Sequence, residues 1–211
     1  MASQLKAVRF PGPTGTLEGL WKKASGPRRG SAVFAHPHPL HGGTLRNKVV
    51  FRAAAALTAA GYATLRFNFR GVGASQGRHD EGRGEADDFR AALDEAERLD
   101  GLPLVAGGFS FGSAVALRAA AADERVAALV AVGFPLATLA RGSLPRPNVP
   151  SLFVTGERDT FGPPALLAKF AGDSGQIVIV PGADHFFEGR LEELERAIAG
   201  FLAALPVAAR S

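Results

Sequence analysis

Residues 103–122 read PLVAGGFSFGSAVALRAAAA. A short apolar run at 103–106 leads into Gly108-Phe109-Ser110-Phe111-Gly112, and an apolar helical pattern over 111–122 follows at once. A serine flanked two residues away on each side by glycine fits a sharp strand-to-helix turn. Its backbone is strained there, the residues at the glycine positions must be small to clear one another, and its hydroxyl stands exposed. With 26 glycines and ten serines in 211 residues, composition alone yields such a pentapeptide with a probability of about 0.15. The motif therefore counts for little by itself. Its place between a strand and a helix is what makes Ser110 a candidate nucleophile.

The alternation of periods extends outward from this stretch. Residues 5–10 (LKAVRF) and 15–22 (GTLEGLWK) alternate with a period of two around Pro11-Gly12-Pro13, which predicts a hairpin over 5–22. Further strands are predicted at 31–35, 62–69, 103–106, 126–134, 151–155 and 176–180. Helices are predicted at 47–60, 84–99, 111–122, 163–171 and 188–205, with Glu85, Asp87 and Asp88 suiting the positive end of the second. Strands alternating with helices imply an α/β fold: a mostly parallel sheet with helices on both faces, as one domain over 1–211 with a tail that frays at 206–211.

Composition narrows the functional classes. The chain has no Cys, which excludes a disulfide scaffold, thiolate zinc sites, Fe–S clusters and thiol catalysis. The net charge of +4 comes from Arg scattered among acids, and one Trp and one Tyr offer no stacking platform, so no nucleic-acid partner is expected. No segment approaches 18 uncharged apolar residues, and MASQLKAVRF has no apolar leader core. A cytoplasmic protein with no membrane partner is expected, as a monomer or homodimer.

In open α/β sheets the chemistry gathers at the carboxyl ends of the strands, and three further ends carry unusual residues. Asp159, in Gly156-Glu157-Arg158-Asp159, is the candidate carboxylate that orients an imidazole. Glu157 competes for that role, but it sits closer to the strand end, where Arg158 is placed to pair with it. His185, in Gly182-Ala183-Asp184-His185, is the candidate base and the last His of the chain. The order Ser110, Asp159, His185 is that of a Ser-His-Asp triad on an α/β sheet. The third end is His36-Pro37-His38-Pro39-Leu40-His41, where a loop is expected to lend one oxyanion-hole N–H beside that of Phe111. Pro37 and Pro39 have none to give, which leaves His38 first and Leu40 second. The rival reading is a metal site on His36, His38 and His41, but Leu40 stands where that pattern needs Asp, and His185 then loses its role.

VFAHPHPLHGGTLRNKVV, YATLRFNFRGVGASQG, GGFSFG, VTGERD and GADHFF together resemble the α/β-hydrolase superfamily over about residues 5–205. The likeness is to its small cap-less bacterial members near the dienelactone-hydrolase and carboxylesterase branch. The resemblance implies an eight-stranded, mostly parallel sheet with Ser110 as nucleophile, Asp159 as acid and His185 as base. It also implies acyl-enzyme hydrolysis with no metal or cofactor; a small-molecule carboxylic ester is the expected substrate, the alternatives being a thioester or small peptide served by the same triad, or a non-catalytic hydrolase-fold binding protein. Arg70-Gly71-Val72-Gly73-Ala74-Ser75 is then a turn shaped by an Arg salt bridge. The dienelactone branch often uses Cys as nucleophile, which this chain lacks. Residues 135–150 (PLATLARGSLPRPNVP), where many relatives insert a helical cap, are too short and too Pro-rich for one. An open site follows, walled by Leu40, Phe109, Phe111, Phe161 and Phe186.

Overall fold

A computed structural model describes residues 5–139, 144–146, 148–172 and 175–206. Eight strands form one sheet in the order β1-β2-β4-β3-β5-β6-β7-β8. The strands are β1 (Leu5–Gly12), β2 (Gly15–Lys22), β3 (Gly30–Ala35), β4 (Tyr62–Phe67), β5 (Leu104–Phe109), β6 (Val126–Val132), β7 (Ser151–Gly156) and β8 (Gly175–Val180). The predicted hairpin β1–β2 joins β4 antiparallel, and every pairing from β4 onward is parallel. This is the α/β-hydrolase fold. Residues 207–211 of the expected frayed tail lie outside the described residues.

Helices cover both faces because the strand residues alternate between them. In β3, Val33 and Ala35 join a core with α2 (Arg83–Asp100), α3 (Phe111–Ala122) and α4 (Pro164–Ala171). Ala32 and Phe34 point the other way, toward α1 (Lys48–Ala59) and α5 (Leu191–Ala204). Large side chains such as Phe34, Phe89 and Phe153 are fully enclosed, each contributing about 1.5–3 kcal/mol from lost water contact. No helix among the described residues is long and apolar enough to cross a membrane.

Several predicted boundaries move, each for a local reason. β5 runs on through Gly107 and Gly108 instead of ending at 106. A Cβ on Gly107 would sit 2.7 Å from the Phe34 ring, so the glycine permits close packing inside the strand. β4 stops at Phe67, two residues early. Beyond it the amides of Asn68, Phe69 and Arg70 bond to Glu18 O, His36 Nε2 and Asp88 Oδ2 in place of a strand ladder. β6 ends at Val132 because Gly133 turns the chain with φ 53°. α5 starts at Leu191, since Asp184 Oδ1 ties the amides of Phe186 and Glu188 into a turn.

The acidic start of α2 has separate tasks. Glu85 serves the helix end, accepting from the N–H groups of Asp80 and Gly82 at 2.9 and 2.8 Å. Asp87 pairs with Arg90 and Asp88 with Arg70. Between β6 and β7 the described residues of 135–150 form turns and loop, and among them no helix stands over the strand ends.

Candidate active site

The predicted elbow is present. Ser110 has φ 54° and ψ −121° at the junction of β5 and α3, a conformation that costs a non-glycine residue about 1–3 kcal/mol. Its neighbours explain why it persists. Ser110 N–H donates to Val132 O at 2.9 Å, and Ser110 O accepts from Ser113 Oγ at 2.6 Å. A Cβ on Gly108 would strike the Gly112 backbone, and one on Gly112 would strike the carbonyls of Ala35 and His36. The two glycines let β5, α3 and the end of β3 converge, and they leave the Ser110 hydroxyl free of the helix.

Ser110, His185 and Asp159 arrive from three different strand ends and meet. Ser110 Oγ lies 3.0 Å from His185 Nε2, and His185 Nδ1 lies 2.9 Å from Asp159 Oδ2. A carboxylate only accepts, so Nδ1 carries the imidazole proton and Nε2 offers its lone pair to the serine hydroxyl. Asp159 is itself fixed, Oδ1 accepting the N–H groups of Phe161 and Gly162 at 2.8 and 3.0 Å. Burial works against its charge, yet the hydrogen bond and charge of His185, with the two amides, hold its carboxyl below the usual range. Glu157 does not compete. Its Oε2 accepts from Gly182 N–H at 2.8 Å, while Arg158 donates to Gly182 O. The expected Glu157–Arg158 pair is therefore replaced by two grips on the turn that carries His185.

The His36–His41 loop packs against the start of α3. Phe111 opens that helix, so its N–H has no intrahelical acceptor. Leu40 N–H donates to His38 Nδ1 at 3.2 Å, whereas the His38 N–H has no acceptor among the described residues. The two candidates for the second oxyanion donor are thus unequal, and His38 keeps its amide free. The His38 ring stacks on His41 at 4.5 Å and lies 4.9 Å from His79 and 5.0 Å from Phe111.

His36 has a structural task. It is fully buried, with Nδ1–H donating to Pro37 O at 2.6 Å and Nε2 accepting from Phe69 N–H at 3.1 Å. Burial drives its pKa from 6.5 to about 4. Both ring nitrogens are committed, so His36 has no lone pair for a metal. No group of three or more His, Asp or Glu among the described residues is arranged to hold one.

The predicted aromatic wall divides. Leu40, Phe161 and Phe186 are 71%, 43% and 51% exposed. Phe161 and Phe186 flank the His185 ring with centroids 4.6 and 5.3 Å away. Phe109 is a correction: it is completely buried in the core formed with α1 and α5, and it supports the His185 ring from below at 5.2 Å. As a strand residue before the turn it points into the protein, while Ser110 at the turn is only half-buried. Phe111 packs partly buried against Phe69. Beside the loop, Asn47 and Lys48 begin α1, and Arg46 lies in the turn before it. Asn47 Oδ1 caps α1 through Val49 N–H at 2.9 Å, and Lys48 reaches Glu188.

Two neighbours of the triad were not singled out from the sequence. Gly133 lies beneath His185, where a Cβ would come 3.1 Å from Cε1 of that ring. Thr155 donates to Gly162 O at 2.7 Å and steadies the turn that holds Asp159. Their signal was positional: both sit at strand carboxyl ends.

Residues 30–198 match the sequence profile of the alpha/beta hydrolase domain. An uncharacterised protein of Rickettsia prowazekii (strain Madrid E) is 34% identical over 209 residues, spanning 92% of this chain and 87% of its own. Among solved structures, an alpha-beta serine hydrolase homologue from Coxiella burnetii is similar with a TM-score of 0.85 at 37% identity, over 95% of this chain and 97% of that one. A member of the α/β serine hydrolases without lid, from Xanthomonas campestris, has a TM-score of 0.87 at 31% identity, over 96% and 97% of the two chains. By sequence profile, by identity and by the course of its sheet, the chain belongs to the α/β-hydrolase family.

Proposed function

We propose that this protein is a serine hydrolase that cleaves small-molecule carboxylic esters through an acyl-enzyme on Ser110. The observation that carries the reading is the unbroken hydrogen-bond chain Ser110 Oγ–His185 Nε2–His185 Nδ1–Asp159 Oδ2, at 3.0 and 2.9 Å. Ser110 Oγ attacks the ester carbonyl as His185 Nε2 takes its proton, and Asp159 stabilises the imidazolium. The N–H groups of Phe111 and His38 receive the developing oxyanion. His185 then returns the proton to the departing alkoxide, which leaves as the alcohol. Water, activated in turn by His185, hydrolyses the acyl-serine to the free acid and restores the hydroxyl.

The exposed Leu40, Phe161 and Phe186 favour an apolar group at the mouth of the site. The likeness to the serine hydrolase homologue of Coxiella burnetii and to the lidless α/β serine hydrolase of Xanthomonas campestris supports the choice of chemistry. The same reading takes the chain as one domain, a cytoplasmic monomer or homodimer that needs no cofactor.

The test is intact mass after incubation with a fluorophosphonate, for wild type and Ser110→Ala, followed by a panel of p-nitrophenyl esters. The expected result is one adduct on wild type, none on the variant, and ester turnover that vanishes with it. A folded wild type that takes no adduct overturns the reading. An adduct without ester turnover retains the nucleophile and moves the substrate to thioesters or small peptides.

A further inference from the structure

The two edges of the sheet are built differently. β1 forms one edge, with Lys6 and Arg9 exposed and with Pro11, which has no N–H to lend to a further strand. Charge and proline on an edge keep one chain from adding its strands to another. β8 forms the other edge as Gly175-Gln176-Ile177-Val178-Ile179-Val180, with no charge and no proline. A run of β-branched residues stands where β1 is guarded.

The exposure of β8 is that of an open edge and not of a bare face. Ile177 packs on the core that includes α4, and Val178, pointing the other way, packs on the core with α1 and α5. Both are nonetheless only half-buried and Ile179 is 47% exposed, while every residue of the adjacent β7 is buried. A bare face would open alternate residues only, so what β8 lacks is a neighbour in the plane of the sheet. Val180 O accepts from Glu157 N–H at 3.0 Å, which turns the polar groups of Val180, and by alternation those of Val178 and Gln176, toward β7. The N–H and C=O of Ile177 and Ile179 therefore point outward, and they have no partner there among the described residues. Gly175 N–H is engaged by Gly172 O at 3.3 Å, and Pro181 ends the run on the other side.

We propose that β8 pairs antiparallel with β8 of a second copy of this chain, about a twofold axis at Val178. That register uses both outward residues. Ile177 of each copy exchanges N–H···O=C bonds with Ile179 of the other, so every outward N–H and C=O of the pair is satisfied. The half-exposed Ile179 then lies beside Ile177 of the other copy on one face of the sheet, and Val178 lies beside its own counterpart on the opposite face. With no charge on the strand, self-pairing brings no like charges together, whereas the same pairing of β1 would bring Lys6 and Arg9 against their copies. The contact is isologous and consumes the β8 edge of both chains, so assembly stops at two copies. β8 leads into the turn of His185, and the pairing braces that strand, yet the proposal is independent of the ester reading.

The experiment uses the whole chain at about 1 to 200 μM, the range in which a small interface dissociates. Sedimentation velocity gives the mass, and amide hydrogen exchange read by NMR locates the interface. The expected result is a concentration-dependent species of twice the chain mass, in which the Ile177 and Ile179 amides slow as the dimer forms. The Val178 and Val180 amides, turned toward β7, are protected in monomer and dimer alike. Ile179→Lys, on a side chain half open to water, sets a charge beside the apolar Ile177 of the other copy and raises the dimer Kd at least about tenfold. Ile179→Pro removes an N–H that β7 does not use and blocks the same pairing; if it fails to fold, Ile179→Lys still decides. Lys6→Gln, on the opposite edge, leaves Kd unchanged. A monomer throughout the range, or a dimer that Ile179→Lys leaves intact, overturns the proposal. So does a dimer whose Ile177 and Ile179 amides exchange as fast as in the monomer.

Discussion

Asp88 binds Arg70 through three donors at once: Oδ1 accepts from Nη2 at 2.8 Å, and Oδ2 accepts from Nε at 3.0 Å and from the Arg70 backbone N–H at 2.9 Å. The pair is buried and joins the turn after β4 to the first turns of α2. Removing one partner leaves the other charge stranded, so Asp88→Asn is expected to destabilise the fold by about 3–5 kcal/mol. The double variant Arg70→Met/Asp88→Leu strands no charge and leaves only the Arg70 backbone N–H without its acceptor, so it should recover part of that loss. Urea denaturation of the three proteins checks both halves, and a double variant no more stable than Asp88→Asn refutes the argument.

His36 makes stability depend on pH. Its folded pKa of about 4 lies below the ordinary 6.5, so the unfolded chain binds a proton more readily between those values. Stability from this residue is complete above pH 6.5 and falls as pH drops toward 4, by about 3 kcal/mol in all. Its burial is complete, so no solvent screening reduces the figure. His38, also lowered, chiefly by burial, adds in the same direction. The depressed carboxyls of Asp123, Asp159 and Glu193 lose their contribution only from about pH 5 downward, so the part of the window above that belongs to the imidazoles. His36→Gln retains a polar group for Phe69 N–H and has no proton to take up. Its Tm should vary less between pH 6.5 and 4 than that of wild type. An unchanged slope would assign the effect to other groups.

The fold was legible where one residue implied one environment. Alternation in GTLEGLWK gave an edge hairpin, and GFSFG between a strand and a helix gave the elbow. Less legible were residues whose role depends on chain that folds in from far away. Gly107 and Gly108 resemble strand breakers until Phe34 and Gly112 are packed on them. Phe109 resembles a pocket wall because the motif exposes its neighbour, yet strand parity turns it inward beneath His185. Asp88 suits a helix dipole in the sequence, and only the folded turn brings Arg70 to it. Nor does any local pattern distinguish Arg66 from Arg70, four residues apart in RFNFR with different partners.

Asp159→Asn tests the tautomer argument. An asparagine oxygen can still receive the Phe161 and Gly162 amides, so the turn should survive with little change in Tm. Its NH₂ group would then face His185 Nδ1 as a donor. The ring must turn Nδ1 into an acceptor and carry its proton on Nε2, where it can no longer take the proton of Ser110. Ester turnover near neutral pH should fall on the order of 10⁴-fold in kcat. A loss below about tenfold would show that Asp159 is not needed to orient the base.

Gly133 separates positioning from stability. It ends β6 with φ 53°, a left-handed conformation costing an L-residue about 1–2 kcal/mol. A Cβ there would lie 2.9 Å from the Phe109 ring, and 3.1 and 3.3 Å from Cε1 and Nδ1 of His185. Phe109 is enclosed by the core and cannot retreat, whereas the Phe161 and Phe186 rings that flank His185 are exposed and can give way to it. Gly133→Ala should therefore move the imidazole, lengthening its bonds to Asp159 and Ser110. The expected outcome is a Tm lower by a few degrees and a kcat reduced on the order of 10²-fold, with KM little changed. Slower labelling of Ser110 by the fluorophosphonate should accompany it, since that reaction needs the same base. If Tm falls while labelling and kcat are preserved, the glycine serves only the turn, and His185 does not depend on it for its place.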